Sequence, residues 1–333
     1  MMKFSPEKGK YFEYIFSLTQ KQMKAVAADE LKKHFAAQNI VETKEYIYAI
    51  GDIPIALVAH LDTVWEDAPP RFTFFDPFKN VMWAPNGLGA DDRAGVIAIF
   101  EILRTGLRPH VIFTTDEEIG ALGAEALVHE DCPFKDLRYL IELDRRGKND
   151  CVFYDCETED FINYVESFGF ETAMGSFSDI SILCGAWEVC GVNLSIGYYN
   201  EHTQREMLFL NSMYNTITRV IKMLKEKDIP HFIWEGVSYF PQFNWINYMD
   251  YAQPNMQFAC KCCHKPLSFQ EATSARTENG GIAYYCLDCF PKHVAYCDRC
   301  GIAYECDQGV THSGFCENCG GKEAYALYGS SYC

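Results

Sequence analysis

Between residues 46 and 225, short apolar runs alternate with amphipathic segments, and this alternation narrows the choice of fold more than anything else in the chain. Tyr46–Ile50, Ile55–Ala59, Val111–Thr115, Tyr139–Leu143 and Val192–Ile196 have the length and apolar content of buried strands. A turn is expected at Gly51-Asp52. Arg93–Arg104, Ala121–His129 and Thr158–Phe168 have helical spacing, and Tyr11, Tyr14, Ile15 and Leu18 mark one helical face near the start. Arg205–Lys225 is expected to be one long amphipathic helix, with Leu210, Met213, Tyr214, Ile217, Val220, Ile221 and Leu224 on its apolar face. Strands without polar alternation, set between helices, belong to a sheet covered on both sides. The expectation is an α/β domain over residues 1–228, with a mostly parallel mixed sheet covered by helices.

Beyond that domain the character changes twice. Residues 229–258 are rich in aromatics and proline, which predicts a packed connector and not a flexible tether. Residues 259–333 hold eleven of the 16 cysteines. Four CxxC units stand out: Cys260/Cys263, Cys286/Cys289, Cys297/Cys300 and Cys316/Cys319. The first two are separated by 22 residues and the last two by 15, intervals that suit zinc ribbons. The expected arrangement is two successive four-cysteine sites, each holding one structural zinc; a cross-brace joining the first unit to the third is the alternative. Cys262, His264, Cys306 and His312 are surplus candidates. Clustered CxxC pairs in a chain whose first residues show no secretory pattern favour metal over disulfides and a reducing cytoplasm.

Charge excludes some partners. The chain carries 46 acidic against 29 basic side chains, net −17, and the cysteine-rich tail has six basic against eight acidic residues. Such a surface repels nucleic-acid phosphates and anionic lipid, so neither nucleic acid nor membrane is expected as a partner. No apolar run is long enough for a spanning helix. A protein partner, or self-association, is the expected use of the tail.

Five segments carry candidate chemistry: His60-Leu61-Asp62, Gly87 to Gly95, Asp116-Glu117-Glu118, Asp144, and Asn200-Glu201-His202-Thr203. Most follow the carboxyl end of a predicted strand, the edge where open α/β sheets bind ligands. One acidic triplet alone is ordinary surface; convergent strand ends finishing in metal-ligand types make a site. Two histidines and three carboxylates suit a pair of zinc ions, with one carboxylate bridging ions roughly 3.5 Å apart. A further, non-coordinating carboxylate would move the proton. Gly87-Leu88-Gly89 does not follow a strand directly, and its neighbouring aspartates disfavour a phosphate loop. His34, His110, His129 and His231 lack this context and are read as structural or exposed.

The motifs His-x-Asp, Gly-Ala-Asp-Asp-x-x-Gly, Asp-Glu-Glu-x-Gly, an isolated Asp and a late His resemble the co-catalytic di-zinc exopeptidase superfamily over residues 50–225. That group includes tripeptide and leucyl aminopeptidases, carboxypeptidases and N-acyl amino acid deacylases. The resemblance implies that His60 and Asp144 hold one zinc, Glu118 and His202 the other, and that Asp91 bridges them. It implies Glu117 as general base and acid, Asp62 as the residue orienting the His60 ring, and a cis peptide at Asp91–Asp92. Ser178-Asp179 resembles a segment lining such sites. Only 57 residues separate Asp144 from His202, too few for an inserted lid domain as well as the core elements. A compact aminopeptidase acting on short peptides is the expected function, with zinc, or manganese or cobalt in its place. An N-acyl amino acid deacylase is the alternative. A reading from another class is an inactive hydrolase fold that binds protein through its ribbons. Tyr198 and Tyr199 are the candidates for oxyanion stabilisation.

Overall fold

In the computed structural model the apolar runs assemble into one sheet with helices on both faces. The structure describes residues 6–65, 69–70, 72–175, 177–234, 258–267, 273–276, 282–286, 288–296 and 303–305. The chain divides into two compact units, Met1–Val237 and Ser238–Cys333.

The first unit opens with helices α1 (Pro6–Phe16) and α2 (Gln20–His34). Thr19 starts α2 with a capping box: its hydroxyl accepts the Gln22 amide, and the Gln22 side chain accepts the Thr19 amide. Strands β1 (Ile40–Glu42), β2 (Tyr46–Ala49) and β3 (Ile53–His60) follow. Next come β4 (Phe74–Asp76), β5 (Val81–Trp83), α3 (Ala90–Arg104), β6 (Pro109–Thr114), α4 (Leu122–Val128), β7 (Tyr139–Arg145) and β8 (Asp150–Val152). The unit closes with α5 (Glu159–Ser167), β9 (Glu171–Thr172), α6 (Asp179–Trp187), β10 (Cys190–Ser195), β11 (Tyr198–Tyr199), β12 (Met207–Phe209) and α7 (Leu210–Leu224).

The main sheet has the order β1-β2-β6-β3-β7-β10-β8-β9. Its four central strands β6, β3, β7 and β10 are parallel, so their carboxyl ends share one edge. Side chains alternate between faces, as strand geometry requires. Ile55, Leu57 and Ala59 join Val111, Phe113, Ile141 and Leu143 in one core, under α1, α2, α3, α5 and α7. Ala56, Val58, Ile112 and Leu140 face the other, under α4 and α6. Gly95 lets α3 lie close to β7, since a Cβ there would come within 2.3 Å of the Leu143 carbonyl oxygen.

Several features differ from the sequence reading, among them the helix Asp179–Trp187, which no expected element covered. The helix expected from Arg205 begins at Leu210, because Met207–Phe209 pair instead with Val81–Trp83 in a small antiparallel sheet ordered β11-β12-β5-β4. Strands of two or three residues carry too short a pattern to be read, which is why that sheet was not expected. The start of the aromatic connector belongs to the first unit: Phe232 packs its ring on Phe161, Tyr164 and Tyr139, with centroids 4.9, 5.2 and 6.0 Å apart. Residues 235–257 lie outside the described residues.

The second unit contains a hairpin of β13 (Phe258–Ala259) and β14 (Pro266–Leu267). A second sheet has the order β16 (Ile282–Tyr285), β15 (Thr273–Arg276), β18 (Ala303–Glu305), β17 (Val294–Tyr296), with the short helix α8 (Phe290–His293) before β17. Its small core is built from Cys260, Cys286, Cys289, Ala275, Ala283, Tyr285 and Val294.

Candidate metal centre

The parallel strands deliver their terminal residues to one rim. His60 ends β3, Asp144 is the penultimate residue of β7, and Asp116-Glu117-Glu118 follow β6 after Thr115. Asp91 lies where α3 begins, at a kink with non-helical backbone, and the Asp91–Asp92 peptide is cis. His202 comes from the turn between β11 and β12.

All five candidate ligands meet. His60 Nε2 lies 3.1 Å from Asp91 Oδ1 and 3.5 Å from Asp144 Oδ1. The other Asp91 oxygen lies 3.1 Å from His202 Nε2, which is 2.9 Å from Glu118 Oε2. Asp91 thus presents one oxygen to each histidine. Donors 2.0–2.1 Å from a tetrahedral ion lie about 3.3 Å from one another, so these separations fit two neighbouring metal positions. His60, Asp91 and Glu118 each offer an atom within a 4.8 Å group, as do His60, Asp92 and Asp144. In the second group Asp92 is already engaged through Oδ1 with the Gly95 amide.

Supporting contacts fix these side chains. Asp62 Oδ1 faces His60 Nδ1 at 3.3 Å, the place expected for an orienting carboxylate. The same carboxylate accepts the amides of Glu117 and Glu118 at 3.1 and 3.0 Å, tying the β6 loop to β3. Asn193 accepts the Asp144 amide and donates to the Asp144 carbonyl. Ser178 donates within 2.6 Å of Glu142 and lies 3.3 Å from Asp144, so it does line the site. Asp179 accepts from Thr114. Tyr198 donates to the Asp144 carbonyl and carboxylate at 2.8 and 3.1 Å, so its hydroxyl is already committed; Tyr199 packs against Phe209.

The electrostatics ask for cations. Burial, and then the charges of Asp144, Asp179 and Asp91, push Glu117 up to about 9 against the pull of His60. Burial likewise raises Asp144 to about 7 and Asp179 to about 6. Asp91 goes the other way: burial opposes its ionisation, but hydrogen bonds from His202 and His60 hold it well below the carboxylate range. Hydrogen bonds to Asp91 and Glu118 raise His202 to about 11. Buried carboxylates this close repel one another unless positive charge is supplied, and divalent ions supply it most compactly. Asp92 Oδ2, Glu142 Oε1 and Asp179 Oδ1 are buried with no hydrogen-bond partner.

Sequence reasoning missed Glu142, Asn193 and Glu206. Glu142 had a signal, being a lone charge inside an otherwise apolar buried strand, which demands a reason. Glu206 had none, because it sat within a stretch read as helix. The remaining histidines behave as expected: His110 accepts the Gly51 amide and stacks on Phe134, His34 pairs with Glu30, and His231 is exposed.

In the second unit, Cys260, Cys263, Cys286 and Cys289 bring their sulfurs within 4.8 Å of one another. The first CxxC therefore meets the second. Cys263 and Cys286 Sγ are 3.8 Å apart, the edge of a tetrahedron with metal–sulfur bonds of about 2.3 Å. Both CxxC turns are closed by backbone bonds of 2.9 Å, His264 amide to Cys260 and Phe290 amide to Cys286. Cys297, Cys300, Cys306, His312, Cys316 and Cys319 lie outside the described residues.

A model of Peptidase family M28 matches residues 40–168. No curated protein matches the chain. Among solved structures, a TET aminopeptidase from a marine sediment Thaumarchaeota archaeon is similar at 13% identity, covering 67% of this chain and 98% of its own, with a TM-score of 0.52. A tripeptidase from Staphylococcus aureus shares 14% identity over 67% of this chain and 99% of its own, TM-score 0.49. The aminopeptidase PepT from Bacillus cereus shares 15% over 64% and 95%, TM-score 0.48. The first of these shows a common fold. The family match covers residues 40–168, the stretch bearing the first four site segments, so over that stretch the chain resembles Peptidase family M28.

Proposed function

We propose that the chain is an aminopeptidase that removes amino-terminal residues from short peptides at a two-metal centre. The observation that carries this reading is the convergence of His60, Asp144, Asp91, His202 and Glu118, with the two Asp91 oxygens directed at different histidines. His60 and Asp144 would hold one ion, His202 and Glu118 the other, and Asp91 both. Zinc suits this N/O donor set, and manganese or cobalt would also fit. Bound there, divalent ions would polarise the scissile carbonyl and acidify the attacking water. Glu117, 4.0 Å from His60 Nε2, is placed to accept that proton on its carboxylate and return it to the departing amine. Asp62 keeps the His60 ring oriented, and Asn193 and Tyr198 hold Asp144.

The choice of free amine over N-acyl substrate follows from charge. The carboxylates gathered around the centre favour a substrate with an α-ammonium group, which an N-acyl amino acid lacks. Arg145 and Arg146, the cations next to Asp144, are engaged by the Met174 carbonyl and Glu201. We also infer a structural zinc on Cys260, Cys263, Cys286 and Cys289, a closed thiolate shell in a tail suited to protein contact or self-association and to a reducing, cytoplasmic setting.

The test is an assay of the full chain with free-amino di- and tripeptides against N-acetyl amino acids, with zinc, manganese or cobalt added. Amino-terminal cleavage of the peptides is expected. Glu117→Gln should lower turnover by about 10²–10⁴-fold while metal content stays normal. Full activity of that variant, or preference for the N-acyl compounds, refutes the assignment.

A further inference from the structure

Glu206 is a buried carboxylate near the centre whose partners are N–H groups of the loop around Asp91 and of Trp65. It is 1% exposed, and four N–H groups converge on it. Oε2 accepts the Gly89 amide at 2.6 Å, the Leu88 amide at 3.1 Å and Trp65 Nε1 at 3.3 Å; Oε1 accepts the Asp91 amide at 3.0 Å. The loop it gathers is shaped for this approach. Gly87 has φ +100°, and a Cβ on it would fall 2.2 Å from the Trp65 ring.

We propose that Glu206 is a positioning residue that fixes the Asp91 loop against the hairpin bearing His202, so that both reach the same ion. The inference rests on the metal-centre reading above. His202 lies four residues before Glu206 in a turn with little freedom: Thr203 donates to the Asn200 carbonyl at 2.7 Å, Arg205 donates to the Thr203 hydroxyl at 3.2 Å, and the Glu206 amide donates to the Thr203 carbonyl at 3.1 Å. The carboxylate at the end of that turn holds the amide of the residue whose side chain His202 approaches. The two donors therefore share one anchor, and their 3.1 Å separation is set by it. Two oxygens are needed, since the Asp91 amide uses one and the loop amides the other. A glutamine would oppose its own N–H group to one of these amides.

The experiment compares the full chain with Glu206→Gln, titrating Mn2+, which thiolate sites bind poorly, and following both ion uptake and peptidase activity. The variant should bind the ion about tenfold or more weakly, with a matching rise in the Mn2+ concentration needed for half activity. Its kcat at saturating Mn2+ should fall less than its metal affinity. A merely structural role would lower the melting temperature without moving that affinity. Should the glutamine variant not fold, Glu206→Asp keeps the charge but loses reach, and is expected to bind Mn2+ more weakly than wild type. Wild-type affinity in whichever folded variant is measured overturns the inference. If Asp91→Asn leaves Mn2+ binding intact, the metal-centre reading itself fails and takes this inference with it; wild-type affinity in Glu206→Gln beside a loss in Asp91→Asn removes this inference alone.

Discussion

His110 gives a prediction about stability that is separate from the chemistry. It lies near the start of β6, at the end of the strand away from the metal centre, buried with its Nδ1 accepting the Gly51 amide at 3.0 Å. Its ring stacks on Phe134, with centroids 4.4 Å apart. Burial lowers its pKa from 6.5 to about 4. A histidine depressed in the folded state is stable as the neutral base, so its contribution is intact above pH 6.5 and is lost as pH falls toward 4. Each pH unit in that window costs about 1.4 kcal/mol, so between pH 7 and pH 5 the loss is about 2 kcal/mol. His110→Asn keeps an acceptor near the Nδ1 position and does not titrate. Urea unfolding followed by tryptophan fluorescence, with Trp187 also against Phe134, measures both proteins at each pH. The variant is expected to be less stable at pH 7, through loss of the ring stack, and the gap should close by about 2 kcal/mol at pH 5. A gap that stays constant would refute the assignment of a buried neutral imidazole.

Two further outcomes follow from the packing and charge of the site. Gly95→Ala should destabilise the first unit by about 1–3 kcal/mol, because the new methyl meets the Leu143 carbonyl and the Asp92 carboxylate at 2.3–2.5 Å; an unchanged melting temperature would contradict the close packing of α3 on β7. Chelation should lower the melting temperature, and the stripped protein should lose stability as pH rises from 5 to 8. The sign follows from Asp144 and Asp179, raised to about 7 and 6: a carboxyl raised on folding favours the folded state at low pH and loses that contribution through its folded pKa. Melting curves with and without chelator at four pH values check this, and a stripped protein that gains stability with pH would contradict it.

Much of the centre was legible in the sequence because its residues sit at strand ends. Once Ile55–Ala59, Val111–Thr115 and Tyr139–Leu143 are read as parallel strands, His60, Asp116-Glu117-Glu118 and Asp144 must share a rim. Their chemical types then suggest metal. The layered α/β architecture was readable for the same reason, since strand and helix periods are local properties of the chain. The pairing of the first cysteine unit with the second was the expected arrangement, but spacing alone also allows a cross-brace; the choice depends on β13–β14 bringing Cys260 and Cys263 to the Cys286 turn.

What tertiary structure alone decided is how far each donor stands from the next. Sequence placed Glu206 in the first turn of a helix. In the fold the stretch Met207–Phe209 finds partners in Val81–Trp83, and the hairpin so formed carries Tyr198 to Asp144, His202 to Asp91 and Glu206 to the loop at 88–91. Such contacts join residues more than fifty positions apart. No local period records them, because they depend on hydrogen bonds available only after the sheet has closed.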